Sequence, residues 1–290
     1  MKSNSKDKNL NQKVIDGFGH EWEKYNYNDK KISSDLDKQF DSYVKTIDLS
    51  EFSIINSIAC DFGAGSGRWT ERFLPYFHKV YALEPSDGAF EVLKNKFATE
   101  TKVKILKETI GANSLTEKSL DLAISLGVLH HLPDTRNAIK DISITLKPGG
   151  VFLCYLYYNL ENKPWLYRIL FKISNQGRKV ISYLPKWWKL KISQFIAITI
   201  YWPLSRIARI FEIIGLDSSN VPLHHYSRMP FVMLANDALD RFGTILEQRF
   251  SKEEIRQMLM FCDFDLSTLK FSDSEPFYTF SIKRNGQSKN

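Results

Sequence analysis

The sequence predicts an α/β protein: a doubly wound, mainly parallel sheet with a helical insertion after strand five. Three observations carry this. Short β-rich runs alternate with helical stretches, the pattern of a parallel sheet built from βαβ units. The apolar run Ser57-Ile58-Ala59-Cys60 leads into Asp61 and then glycines at alternate positions, Gly63, Gly65 and Gly67, directly before a helical pattern. An open α/β sheet presents a ligand in this way, at the carboxyl end of a strand. Finally, about 90 residues separate strand five from the last helix, and a structureless loop of that length is improbable in a compact domain.

The elements follow in order. Strands are predicted near 57–62, 79–84, 103–107, 120–126 and 150–157, with helices near 37–48, 67–77, 86–98 and 135–146. The runs 265–271 and 276–283 read as two strands joined by a turn. The helix before them opens at Ser251-Lys252-Glu253-Glu254, a capping box with Ser at N-cap and Glu at N3. Residues 1–13, rich in Lys, Asn, Ser and Asp, are predicted to be a disordered tail, and 285–290 a second tail. The expected organisation is a core over 14–158, an insertion over 159–250, and a completing segment over 251–284.

Composition bounds the setting. The chain has 290 residues, 43% of them hydrophobic, enough to bury a full core. No apolar run opens it, so no secretory leader is expected. Cys60, Cys154 and Cys262 are too widely spaced for a metal site or a disulfide framework, which predicts a reducing, cytoplasmic location.

The glycine spacing separates cofactor classes. A dinucleotide fingerprint would need Gly63, Gly65 and a small residue at 68, where this chain has Arg68. Glu84, at the end of the second predicted strand, lies 23 residues after Asp61, the spacing at which an acid accepts ribose hydroxyls. The Asp-x-Gly-x-Gly-x-Gly run instead resembles motif I of the class I S-adenosylmethionine (SAM) dependent methyltransferases, typified by ubiquinone and menaquinone biosynthesis enzymes. The stretch from Ser119 through Val128-Leu129-His130-His131-Leu132-Pro133-Asp134 resembles their fourth strand and its continuation, and Leu146-Lys147-Pro148-Gly149-Gly150 the turn before strand five. Phe18-Gly19-His20-Glu21-Trp22-Glu23-Lys24-Tyr25 resembles their cofactor-covering aromatic segment. The resemblance implies a Rossmann-like sheet of seven strands, mainly parallel with an antiparallel last strand, SAM as cofactor, and a site formed by Asp61, Gly63, Ala64, Gly65, Gly67, Glu84, Pro85, Ile110, Leu126 and Tyr25. In one place the chain departs from the family. Where many relatives place an adenine-binding Asp after strand three, it has Thr109 beside Glu108, leaving backbone groups and Ile110 to hold adenine.

The insertion carries the basic charge. Between Lys163 and Arg209 there are ten Lys or Arg and no Asp or Glu; without them, the chain's net +7 becomes −3. Trp165, Leu166, Ile169, Leu170 and Ile173 recur at helical spacing, as do Leu204, Ile207, Ala208 and Phe211. Two readings stay open. One is a helical lid with its apolar face on the domain and its basic face in water. The other is peripheral membrane association through 163–211, helped by Trp187-Trp188 among lysines. The longest uncharged run, Ile192–Ser205, is 14 residues, short of the ~20 needed to span.

Methyl transfer from a sulfonium needs a base only when the acceptor must lose a proton. His131, with His130 beside it, follows strand four at the edge that faces the methyl group and is the candidate base; His224 and Tyr226 of the insertion are alternatives. Strand four ends in Ser125-Leu126-Gly127-Val128 rather than an Asn-Pro-Pro-Tyr type, which disfavours adenine or glutamine N-methylation. The acceptor class expected is a small molecule or a sugar or lipid-linked glycan precursor, methylated on oxygen. A nucleic-acid acceptor is disfavoured because no RNA-binding module is recognisable. A SAM-binding scaffold without turnover is the other alternative, and an NAD-linked oxidoreductase a distant third.

Overall fold

The computed structural model describes residues 9–24, 30–161, 164–218, 221–273 and 278–286. The chain divides into two units. Unit 1 comprises residues 1–27, 36–159 and 248–290; unit 2 comprises 28–35 and 160–247.

Unit 1 carries the sheet. Its strands are β1 (Ile58–Phe62), β2 (Lys79–Leu83), β3 (Val103–Leu106), β4 (Leu120–Leu126), β5 (Leu146–Leu156), β6 (Phe264–Phe271) and β7 (Tyr278–Arg284). They lie in the order β3-β2-β1-β4-β5-β7-β6. β1 to β5 are mutually parallel, and β7 runs antiparallel to both β5 and β6. The order reverses between β1 and β4, the switch point at which open α/β sheets bind ligands. β4 is almost continuously buried, as expected of a parallel strand covered on both faces. Phe62, Phe152, Phe280, Leu122 and Ile124 fill the core around it.

The helices associated with the chain up to β5 are α1 (Gln12–Lys24), α2 (Lys30–Val44), α3 (Arg68–Phe73), α4 (Asp87–Lys96) and α5 (Thr135–Thr145). Asp134 caps α5, its side chain accepting from Asn137 N–H. Within the stretch expected to be a disordered tail, Asn9 is 9% exposed and exchanges two hydrogen bonds of 2.7 Å with the Asp134 backbone, while residues 1–8 lie outside the described residues. α2 starts earlier than the predicted 37–48, and β5 begins at Leu146, four residues ahead of the expected start, because the Lys147-Pro148-Gly149 turn is flanked by sheet pairing.

Unit 2 contains α6 (Trp165–Ile181), α7 (Lys186–Ile196), a π turn (Ala197–Tyr201), α8 (Trp202–Ile213) and α9 (Phe231–Gly243). α6, α7 and the π turn pack on α9, whose Met233, Leu234, Ala238, Leu239 and Phe242 are buried. The chain then returns to unit 1 through α10 (Lys252–Met260), where Ser251 and Glu254 form the predicted capping box.

Candidate functional site

The carboxyl ends of β1 and β2 build a turn with two buried acids. After β1 the chain turns through Gly63, Gly65 and Gly67 at φ of 78°, 56° and 75°. Gly63 N–H and Ala64 N–H both donate to Leu83 O at 2.9 Å, and Gly65 N–H donates to Glu84 Oε2 at 2.9 Å. The turn is thereby stapled to the end of β2. A Cβ at Gly63 would lie 2.7 Å from both γ-carbons of Val128, the residue two beyond β4. Ala64 turns its methyl into a cluster with Ala82, Leu93 and Phe97, so only its backbone is available to a ligand.

Asp61 is 2% exposed and its Oδ2 accepts from Thr70 O–H at 2.7 Å. Burial pushes its carboxyl up to about 6, and the neighbouring Glu84 carboxylate adds to the rise. Glu84 is 6% exposed. Its Oε1 accepts from Ser86 N–H at 2.9 Å and Ser86 O–H at 2.6 Å. Burial raises its pKa, and these hydrogen bonds oppose the rise. Pro85 is half-buried between Glu84 and Ser86. The hydroxyls of Thr70 and Ser86 escaped the sequence reading. Ser86, two residues past an acid at a turn, is a spacing that favours a local side-chain to backbone bond. Thr70 reaches Asp61 only because α3 doubles back on β1, which no spacing reveals.

Beyond β3, Glu108 Oε2 accepts from Ser114 N–H at 2.7 Å and Ser114 O–H at 3.0 Å, closing the loop on itself. Thr109 bridges to Ala112. Among the described residues, its buried Oγ1 has no hydrogen-bond partner. Ile110 is half-buried, its carbonyl accepting from Asn113 Nδ2–H at 2.6 Å. Leu126, the last residue of β4, is 7% exposed. Tyr25 lies outside the described residues.

The edge past β4 is aromatic. His130 and His131 end a short turn of 3-10 helix and are both buried. His130 stacks on Tyr157 with ring centroids 3.8 Å apart, and His131 lies 4.9 Å from Phe18 and 5.7 Å from Tyr157. Arg249 sits over Tyr157 at 4.9 Å. Burial holds the His130 imidazole well below its ordinary pKa, with the charges of His131 and Arg249 acting the same way. Among the described residues, neither ring nitrogen of His130 has a hydrogen-bond partner. The return strand of chain seals this edge: Gln248 N–H donates to His130 O at 2.9 Å, and Phe250 N–H to Tyr157 O at 2.9 Å. The structure thus brings Asp61, Glu84 and the glycine turn together at adjacent strand ends, and places the histidines past the neighbouring strand. In unit 2, the Tyr226 hydroxyl donates to Asp237, and His224 opens the short turn that holds Tyr226.

Comparison with known proteins agrees with this geometry. Residues 60–154 match the family described as Methyltransferase domain. An uncharacterized methyltransferase, YcgJ, of Bacillus subtilis is 30% identical over 105 residues, covering 35% of this chain and 41% of its own length. A tRNA U34 carboxymethyltransferase of Campylobacter curvus is 27% identical over 134 residues, 44% of each chain. The chain thus spans less than half the length of these curated relatives. Human N-acetylserotonin methyltransferase, solved with SAM, shares the fold at 15% identity and a TM-score of 0.51, over 88% of this chain and 54% of its own. Residues 60–154, which carry the glycine turn and the paired acids on this strand order, are thus similar to a methyltransferase domain.

Proposed function

We propose that this protein transfers the methyl group of SAM to a hydroxyl of a small molecule, or of a sugar or lipid-linked glycan precursor. The observation that carries the cofactor half is the pair of buried acids, Asp61 and Glu84, bracketing the glycine turn at adjacent strand ends. SAM, when bound, supplies an electrophilic methyl on a good leaving group, so the protein's task is alignment and desolvation.

The residues fit such a ligand. An ionised carboxylate offers about four lone-pair positions, and Glu84 uses three, one of them for the Ser86 hydroxyl. That hydroxyl can rotate away, freeing Glu84 for two ribose O–H donors. Thr109 Oγ1, buried and without a protein partner among the described residues, takes the place of the family's adenine-binding acid. Asp61, costly to ionise in the folded protein, gains from a cationic group brought beside it, and the cofactor's α-ammonium is such a group.

The hydroxyl acceptor is supported by the two histidines past β4. A neutral imidazole carries a lone pair that can accept the proton of an acceptor hydroxyl. His131 is assigned this role, with His130 fixing the stack against Tyr157.

Isothermal titration with S-adenosylhomocysteine, run beside NADH, tests the cofactor. The parent should bind the homocysteine product in the micromolar range and give no NADH signal. Glu84→Ala and Asp61→Ala should each weaken binding by at least about tenfold, the loss of one or more charged hydrogen bonds, with circular dichroism unchanged. Undiminished binding in both folded variants would overturn the assignment.

A further inference from the structure

Around the apolar centre that α9 supplies, helices α6 to α8 of unit 2 leave many large apolar side chains exposed. Among the described residues, 18 of the 24 exposed large hydrophobic side chains lie in this unit, although it is the smaller one. In α6, Trp165, Ile169, Ile173 and Val180 are 69%, 44%, 65% and 68% exposed. At about 3.6 residues per turn these positions form one stripe. The opposite face of α6 is half-buried and mixes Tyr167 and Phe171 with polar side chains. Arg178, 5% exposed, donates to Asn175 Oδ1 at 2.7 Å and to Thr244 O at 2.8 Å, and Ser174 Oγ accepts from Arg241 at 2.9 Å. The apolar stripe of this helix is therefore exposed rather than packed within unit 2.

The same exposure continues along the chain. Ser193, Ala197, Ser205 and Ala208 are fully buried, while Phe195, Ile198, Ile210 and Ile213 are 65%, 58%, 55% and 73% exposed. Small residues inward and bulky apolar residues outward is the arrangement of helices whose surroundings are apolar. In water it exposes the residues the hydrophobic effect would remove.

Charge says what those surroundings are. The segment Lys163–Arg209 has ten cations and no anion. Lys172 and Lys179 flank the α6 stripe and are exposed, and Lys191 Nζ lies 5.3 Å over the exposed Trp187 ring. Tryptophan bodies with lysine heads beside them suit the boundary between acyl chains and headgroups. No helix among the described residues is long and apolar enough to cross a membrane. A second copy of this face would set cations against cations, and a nucleic acid would leave the isoleucines in water. We propose that unit 2 docks on an anionic lipid bilayer, laying the outward faces of α6 to α8 into the interface with the lysines at headgroup level. This goes beyond the methyl-transfer reading and does not rest on it.

The test is co-sedimentation of the full chain with phosphatidylcholine vesicles, with and without phosphatidylglycerol. Binding should require phosphatidylglycerol and weaken with salt. Ile173→Asp with Val180→Asp should lower it by at least about tenfold, and Lys172→Glu with Lys179→Glu should lower it at low salt. All four positions are exposed, so folding is preserved, and binding of S-adenosylhomocysteine by the same variants should be unchanged. Three results would overturn the proposal: no pelleting at low salt, equal pelleting with neutral vesicles, or a concentration-dependent dimer that the aspartate variants dissolve without any vesicle binding.

Discussion

The two units bury opposite chemistries. In unit 1, phenylalanine, leucine and isoleucine fill the sheet core, and the polar exceptions, Asp61 and Glu84, stand at strand ends where a ligand can meet them. In unit 2, α9 supplies a conventional apolar centre, but its partners turn serine, alanine and Arg178 inward and tryptophan and isoleucine outward. Unit 1 is stabilised by its own core; unit 2 leaves apolar surface to be stabilised by something else. The same amphipathic periodicity therefore has opposite meanings in the two units, and only burial distinguishes them.

The largest expected effect contrasts equivalent truncations. Phe152→Ala, in a fully buried strand position, should cost about 4 kcal/mol through lost burial and a cavity. Ile173→Ala, 65% exposed, should change stability by less than about 0.5 kcal/mol. Chemical denaturation of both variants checks this; a large loss at Ile173 would mean that the stripe is packed.

Next comes pH. The folded pKa of Asp61, about 6, lies above its ordinary 3.8, so the folded state holds a proton that the unfolded state has released. Its stabilising contribution is full below about pH 4 and is lost as pH rises to about 6, a fall of about 3 kcal/mol. Asp61→Asn should remove that component and leave the smaller share of Glu84, whose shift has the same sign. In the parent, affinity for S-adenosylhomocysteine should rise with pH through about 6, as the ionised carboxylate meets the ammonium. Denaturation midpoints and titration calorimetry across pH 4 to 8 measure both; a flat profile in the parent would remove Asp61 from the site.

The smallest effects come from glycines. Gly67 has φ +75°, and a Cβ there would fall 2.5 Å from Phe97 Cε2 and 2.7 Å from Leu93 Cδ2. Gly67→Ala should cost at least about 2 kcal/mol from backbone strain and overpacking. Gly177, inside α6 with nothing within 4 Å, should gain about 0.5–1 kcal/mol on change to Ala. Thermal melting separates the two signs.

Much of unit 1 was legible in the sequence. The strands at 58–62, 79–83 and 120–126 fall where alternation placed them, and the Asp61 to Glu84 spacing located two adjacent strand ends. Local rules suffice here: apolar runs bounded by turns form strands, and glycines at positive φ fix the turn. Other features depended on the path of loops and on packing that periodicity does not encode. The Thr70 bond to Asp61, the Ser114 closure that withdraws Glu108, the buried Oγ1 of Thr109, and the packing of His130 on Tyr157 each depend on where the chain folds back.

The sequence by itself determined the sheet, the glycine turn and the placing of two acids beside it, because these follow from short-range periodicity and spacing. It also determined that the basic charge gathers between Lys163 and Arg209. Which face of α6 is buried was decided only by tertiary structure. Periodicity shows that a helix has an apolar side but not which way it points, and here Arg178 and Ser174, satisfied by the backbone of Thr244 and the side chains of Asn175 and Arg241, hold the polar side inward.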